Sequence, residues 1–414
     1  MKFGYITAAT GLLAIEKAQL REVGDYFDSF KEIDGQRLSS DQTDYPNPLF
    51  YFLITGGTEN TILQILSNRS KILPGEPVYL IAHPGNNSLP ACLEVLARLN
   101  QDGIPGKIFY LKNSDDAEGL RQIKNAQQDL EVLHALKKTR IGIVGTASDW
   151  LVASKPEDEV VKRVWGPEIV HIDLNELKKK MQTIKPESLL QYKSSLVKEA
   201  VEIREPSQTD IDEVVRVYIG LKQLVKELEL ESITVRCFDL VSEMKTTGCF
   251  GLAQLMDDGI VAGCEGDLNS TIGMLWAKKL VGKTPWMANP AQLDEQNNRL
   301  WLAHCTVPRS IVKTYSLRSH FESGLGVGIQ GTFAYQPITL LRIGGKDLKK
   351  LWLAEGNIIQ AGFEENLCRT QIEIELISGG SVKDLLQAPL GNHLVMVSGH
   401  HLEKFKSWRE MMIL

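Results

Sequence analysis

The sequence has no C-x-x-C pair among its six cysteines, no uninterrupted apolar run of about 18 residues or more, and no basic block beyond short runs such as Lys178-Lys179-Lys180. No G-x-G-x-x-G follows its first strand-like segment. Each absence removes a class of protein. Cys92, Cys237, Cys249, Cys264, Cys305 and Cys368 are scattered, several inside apolar runs, and read as reduced thiols rather than a disulfide framework or a zinc ribbon. The opening Met1–Thr7 is too short in apolar length for a signal peptide, so a cytoplasmic protein that does not span a membrane is expected. A net charge of −6, with both signs interspersed along the helical stretches, makes nucleic acid and anionic membranes poor partners. A dinucleotide-binding dehydrogenase is disfavoured too, because Gly56-Gly57 and Gly142–Gly145 fit neither the spacing nor the helix opening of that fingerprint.

What is present is globular material with room for two or three cores: 414 residues, 43% hydrophobic and 24% charged. Short apolar runs alternate with helical patterns from the start: Phe3–Ala9, a helix over 11–30, Leu49–Thr55, a helix from Glu59, Val78–Ala82, a helix through Leu89–Leu99, and Lys107–Leu111. That grammar predicts a parallel sheet with helices on both faces. It begins again at Thr139–Gly145 and continues through Glu168–Asp173, Ile233–Phe238 and Ile260–Cys264, after a polar helical interval in which Ser207 or Thr209 can cap a helix. Beyond Thr284 the segments become shorter, Gly-rich and alternating, as in Gly324–Phe333, Ile338–Ile343, Thr370–Ile377 and His393–Ser398, which predicts antiparallel β structure. The expected fold is α/β: two doubly wound Rossmann-like (flavodoxin-like) domains at 1–138 and 139–283, then a mostly antiparallel β domain at 284–414.

In open α/β sheets, ligands gather beyond the carboxyl ends of the strands. Glu265 closes the apolar run Ile260–Cys264, where an unpartnered charge is expensive, and Asp239 follows Val235–Phe238. Histidines arrive from two other segments, His304 in Ala303-His304-Cys305 and His393 in Gly391-Asn392-His393. One buried acid and two imidazoles can hold a divalent metal. Taken singly, each histidine is more readily a satisfied core residue than a ligand. Thr246 and Thr247, before a helical run, are either oxygen-ligand contacts or simple helix caps, and Asp267 is either a functional acid or the N-cap of a helix beginning at Leu268.

The runs Val235-Arg236-Cys237-Phe238-Asp239, Lys245-Thr246-Thr247-Gly248-Cys249, Gly263-Cys264-Glu265-Gly266-Asp267 and Leu302-Ala303-His304-Cys305-Thr306 together resemble the core of the L-fucose isomerase and L-arabinose isomerase superfamily, in its shorter fucose isomerase-like branch. The resemblance covers roughly residues 230–400 and is weaker over the first domain. It implies an aldose–ketose isomerase with a divalent metal, manganese in the first place and magnesium or cobalt as alternatives. It implies Glu265, His304 and His393 as ligands, with the doublet His400-His401 as the rival for the last position. Where the family's second carboxylate is expected, this chain reads Trp286-Met287-Ala288-Asn289. The amide oxygen of Asn289 becomes the replacement ligand, and proton transfer falls to Glu265 or Asp239.

Substrate contacts implied by the same resemblance, or by position after a strand, are Arg236, Lys245, Thr246, Thr247, Asp267, His320 and Glu322, with His83 and Glu59 from the first domain acting across a subunit interface. A trimer or hexamer follows from that last expectation. The missing acid suits a sugar unlike fucose or arabinose, for example one bearing an acidic substituent. The alternatives are another metal-assisted reaction at a sugar carbonyl, such as epimerisation or retro-aldol cleavage, and a carbohydrate-binding or regulatory relative without turnover.

Overall fold

The computed structural model describes residues 2–10, 21 and 23–413. The chain is mixed α/β and forms two compact units, one made of the chain up to Ala135 together with the stretch from Lys406, the other of Leu136–Phe405.

In the first unit, β1 (Phe3–Ala8), β2 (Gly35–Leu38), β3 (Leu49–Leu53), β4 (Val78–Ala82) and β5 (Gly106–Tyr110) form a fully parallel sheet in the order β2-β1-β3-β4-β5. β3 and β4 are buried along their whole length, which is why they read as continuous apolar runs rather than as alternation. The helix expected over 11–30 falls partly outside the described residues; its described part is Gly24–Glu32.

A buried charge cluster ties this unit together. Arg69 makes a two-pronged ion pair with Glu76 at 2.6 and 3.0 Å, donates to the carbonyls of Thr43 and Asn47, and shares Glu76 Oε1 with His134 Nε2 at 2.6 Å. Burial opposes the Glu76 charge, but His134 and Arg69 outweigh it and hold the carboxyl below its ordinary range. A depressed carboxylate contributes stability that is complete above the unfolded value of about 4.3 and disappears as pH falls through the folded value. Glu76→Gln is therefore expected to cost about 1.5–3 kcal/mol at pH 7, and the gap from the parent protein should narrow in acid. Melting curves of both proteins from neutral to acid pH check this; a gap independent of pH contradicts it.

The second unit opens with another parallel sheet, β6 (Arg140–Val144), β7 (Glu168–Ile172), β8 (Ser232–Val235) and β9 (Val261–Cys264), in the order β7-β6-β8-β9. The strand expected to reach Phe238 stops at Val235, because a helix, Cys237–Met244, starts two residues later. Ser207 caps the helix Gln208–Glu227 with a reciprocal bond to Asp210, as its sequence position predicts.

The remaining β structure is a closed antiparallel barrel, β10-β11-β16-β15-β14-β17, made of β10 (Trp286–Asp294), β11 (Arg299–His304), β14 (Pro337–Gly344), β15 (Lys350–Gly362), β16 (Thr370–Gly379) and β17 (Leu394–Ser398). Irregularities in register between Pro290 and Gln292, and twice along the β15–β16 pair, supply the bends that closure needs. A separate hairpin pairs β12 (Thr314–Arg318) with β13 (Gly328–Thr332). The parallel sheet and the barrel, divided in sequence at 283/284, lie in one compact unit. The helix Leu268–Val281 joins them, packing on β8 and β9 on one side and on β14, β17 and β10 on the other. It is buried almost all round for that reason, from Leu268 to Ala277 and again at Leu280.

Candidate active site

The site lies in the second unit, where β9 ends. Cys264 is the last residue of the strand, Glu265 takes φ 63° and Gly266 φ 70°, so the chain leaves the sheet through two successive left-handed residues. A Cβ on Gly266 would fall 2.5 Å from the Thr146 carbonyl oxygen, so glycine is required there by space as well as by φ. Holding a glutamate in this conformation is costly and is found where a side chain must be aimed.

His304 is the last residue of β11, and His393 immediately precedes β17. Three side chains from three separate elements converge: ligand atoms of Glu265, His304 and His393 all lie within 4.8 Å of one another. The two imidazoles stand edge to face with centroids 5.4 Å apart.

Each member is fixed from behind. His393 Nδ1 donates to Asp267 Oδ2 at 2.9 Å, which leaves Nε2 facing Glu265 Oε1 at 3.7 Å. That Nε2 is fully buried and has no hydrogen-bond partner among the described residues. Asp267 is itself buried, caps the helix Leu268–Val281 through Ser270 N, and pairs with Arg342 Nη1 at 3.0 Å. Arg342 is held in turn by Ser154, Ser270 and the Leu390 carbonyl. Gly391, at φ 143°, makes room for it, since a Cβ there would fall 2.2 Å from Arg342 Nη2. His304 Nδ1 meets Thr306 Oγ1 at 2.8 Å. The Thr306 backbone N–H also donates to Nδ1, at 3.3 Å. Glu265 Oε2 accepts from Trp150 Nε1 at 2.6 Å.

The electrostatics suit a cation. Burial pushes the His304 imidazole down to about 4, with the neighbouring His393 adding to the shift, so it is neutral at pH 7 and able to donate a lone pair. Burial acts the same way on His393, but the carboxylates of Asp267 and Glu265 outweigh it and raise it to about 9. Burial also opposes the Glu265 charge, and here His393 and then Trp150 prevail, holding the carboxyl below its ordinary range. The pocket thus favours positive charge where Glu265 faces His393. A divalent ion satisfies that preference and the orphaned Nε2 together, and the carboxylate–imidazole–ion arrangement behind His393 is a common way of fixing such a ligand.

The cluster opens into a cavity of about 350 Å³, lined also by Trp150, Phe238, Asn289, His320, Glu322 and Asn392. That is room for a small polar molecule. Asn289 Oδ1 accepts from Asn392 Nδ2 at 3.3 Å. His320 Nδ1 meets Ser323 Oγ at 3.1 Å, and its ring stands edge-on to Phe238.

Other expected contacts lie elsewhere. Asp239 sits in the first turn of the helix Cys237–Met244, paired at 3.0 Å with Arg236, whose remaining nitrogens are taken by Asp149, Thr146 and Ala147; neither Arg236 nor Asp239 lines the cavity. Lys245 is exposed and donates to the Ser242 carbonyl. Thr247 Oγ1 bonds the backbone of Val327, and Thr246 is buried; neither lines the cavity nor caps the helix Cys249–Asp257, whose N-cap is Gly248. Asp267 has its oxygens occupied and supports His393 instead of meeting substrate. His401 turns to the Ser398 carbonyl and His400 to that of Gly356, so the doublet does not join the cluster. In the first unit, His83 is buried between the Ile54 carbonyl and the Gly85 amide, and Glu59 accepts from Gly57 N at 3.3 Å.

Trp150, Phe238, Asn392 and Arg342 are site residues that motif reasoning missed. A positional clue existed for Trp150, which follows β6 at a carboxyl strand end in the same sheet as β9. Trp150→Phe keeps its edge-to-face contact with Phe238, 4.9 Å between centroids, but removes the N–H held by Glu265. Loss of about tenfold in kcat is expected, the low end for a residue that orients a ligand. Steady-state kinetics check it; an unchanged rate would mean that Glu265 is positioned by its backbone alone.

No protein-family model matches the chain. Among curated proteins it is similar to the sulfoquinovose isomerases of Priestia aryabhattai and Priestia megaterium (strain ATCC 12872 / QMB1551), each 22% identical over 300 residues that cover 70% of this chain and 67% of the relative. It is also 24% identical over 176 residues to the sulfoquinovose isomerase of Clostridium sp. (strain MSTE9), covering 42% of this chain and 39% of that protein. The chain is an enzyme of the sugar-isomerase class.

Proposed function

We propose that this enzyme is a divalent-metal-dependent aldose–ketose isomerase that acts on sulfoquinovose, a sulfonated aldose, through an ene-diol. The observation that carries the metal is the convergence of Glu265, His304 and His393 around a buried imidazole nitrogen without a partner. The similarity to three sulfoquinovose isomerases supports the substrate. It agrees with a sugar bearing an acidic substituent, as the missing family carboxylate suggests.

Glu265, His304 and His393 would hold the ion, with the Asn289 amide oxygen as a further ligand once released from Asn392. One carboxylate, the neutral imidazole of His304, the imidazole of His393 once its Nε2 proton is lost, and an amide oxygen suit manganese, with magnesium or cobalt as alternatives. A divalent ion bound there supplies positive charge against the negative charge that develops on two adjacent sugar oxygens.

The chain's own residues do the rest. Isomerisation removes a proton beside the carbonyl and returns it to the neighbouring carbon, which needs a carboxylate inside the cavity. Glu265 and Glu322 are the acids that line it, so proton transfer is assigned to this pair in preference to Asp239. Trp150 and Asp267 keep Glu265 and His393 in place, and His320 and Asn392 face the sugar hydroxyls. The trimer or hexamer implied by the resemblance to the fucose isomerase-like branch belongs to this proposal, and light scattering tests it.

The deciding experiment follows exchange of the substrate's C2 hydrogen with deuterated water, for sulfoquinovose and a panel of unsulfonated aldoses. The enzyme is assayed as purified, after chelation, and after manganese is returned. Exchange that needs sulfoquinovose and is abolished by the chelator and restored by manganese supports the proposal. Exchange unaffected by exhaustive chelation removes the metal, and equal exchange with glucose removes the sulfonated substrate.

A further inference from the structure

Five of the six cysteines, far apart in sequence, line the wall of the one cavity that holds Glu265 and His304: Cys237, Cys249, Cys264, Cys305 and Cys368. Within this group the sulfurs of Cys237 and Cys264 stand 3.1 Å apart. The topology makes the pairing. β8 and β9 are neighbours with Val235 opposite Cys264, and the turn after Val235 brings Cys237, the first residue of the helix Cys237–Met244, over the end of β9. Both residues are nearly buried, at 6% and 4% exposure, and both border the cavity.

We propose that Cys237 and Cys264 form a modification site at which hydrogen peroxide makes a disulfide that switches the isomerase off. One sulfur, as its thiolate, attacks the peroxide O–O bond and becomes a sulfenic acid while the leaving hydroxide takes a proton as water. The second sulfur displaces the sulfenic oxygen as another water, closing the S–S bond. Two thiols are oxidised by two electrons, one peroxide is reduced, and two waters leave. A disulfide is about 2.05 Å long, so the sulfurs must close by roughly 1 Å. The residues that move with them are the next in sequence on each side, Phe238 and Glu265, and both line the cavity. The modification does not depend on the reading proposed above; its effect on turnover rests on the role of Glu265 in that reading.

The experiment treats the full chain with hydrogen peroxide, alkylates free thiols, digests without reductant and reads linked peptides by mass spectrometry, with activity followed in parallel. The expected result is a Cys237–Cys264 link lighter by two hydrogens than the two free peptides, with activity down by about 10²-fold, as a misplacement near 1 Å predicts, and regained with dithiothreitol. Cys237→Ser and Cys264→Ser, each compared with its own untreated rate, are expected to resist the treatment. A link within Cys249, Cys305 and Cys368 instead, sulfinic acid without a link, or a link at 237–264 that leaves turnover unchanged would each overturn the proposal. The mass readout needs no substrate, so it stands apart from a failure of the sulfoquinovose assignment.

Discussion

Glu265→Gln is expected to lower kcat by about 10²–10⁴-fold, the range for losing a positioned proton-transfer group, while the protein stays folded. The substitution keeps the shape of the side chain, so the turn through Glu265 and Gly266 and the bond from Ser148 N to the Glu265 carbonyl are unaffected. What changes is the sign and direction of its hydrogen bonding. As a carboxylate, Glu265 offers acceptors on both sides, to Trp150 and toward His393. As an amide, it keeps one acceptor for the Trp150 N–H and turns an NH₂ toward His393 Nε2. That NH₂ satisfies the nitrogen an ion would use and takes one negative charge from the cluster, so ion binding and proton transfer fail together. Activity, ion content by mass spectrometry, and melting temperature should be measured on one preparation. A rate within tenfold of the parent would remove Glu265 from the chemistry, whereas a collapsed melt would leave its role to be judged from Glu265→Asp.

Arg342→Met is expected to cost about 3–5 kcal/mol, because it takes the guanidinium from a fully buried carboxylate and leaves it only His393 and Ser270. Asp267 and Arg342 are 0% and 1% exposed, so solvent cannot replace the lost partner. The loss is not confined to one pair. Arg342 also spans Ser154 in the stretch after the parallel sheet's first strand, Ser270 on the central helix and the Leu390 carbonyl beside the Gly391-Asn392-His393 turn. The double variant Arg342→Met with Asp267→Asn removes the stranded charge while keeping a good helix N-cap, and is expected to recover most of the stability. It should not recover activity, since His393 then faces an amide in place of the carboxylate that sets its orientation, a change that costs about 10–100-fold. Urea unfolding of parent, single and double variants, beside their rates, separates the two effects. A single variant within about 1 kcal/mol of the parent, the usual range for a substitution that breaks no buried network, would contradict this account.

The sequence showed four of the first sheet's five strands, β3 and β4 most clearly, because a strand buried on both faces writes itself as an unbroken apolar run; it missed β2, a short and mostly exposed edge strand. It was silent on β15, the longest strand of the barrel, because Lys350–Gly362 carries Glu355, Gly356 and Asn357 in its middle. Those residues sit beside a register shift against β16, where closing the barrel demands a bend, and the bend breaks the period-two pattern by which a strand is read.

The site divides in the same way. Glu265, His304 and His393 were legible because each is a charged or titratable group at the end of an apolar segment, and the cost of burying such a group points to a partner. Asp267 was legible as a helix cap, since capping is a local rule that sequence neighbours decide. The partners themselves were not legible. Trp150, Arg342 and the thiols of Cys237 and Cys264 meet their neighbours across separations of 27 to 188 residues along the chain. No local pattern encodes such contacts, because they exist only once β6, β8 and β9 lie side by side and the barrel closes over the central helix. The sequence by itself determined which groups need partners; the tertiary structure decided which partners they have, because hydrogen bonds and ion pairs are settled by distance in space.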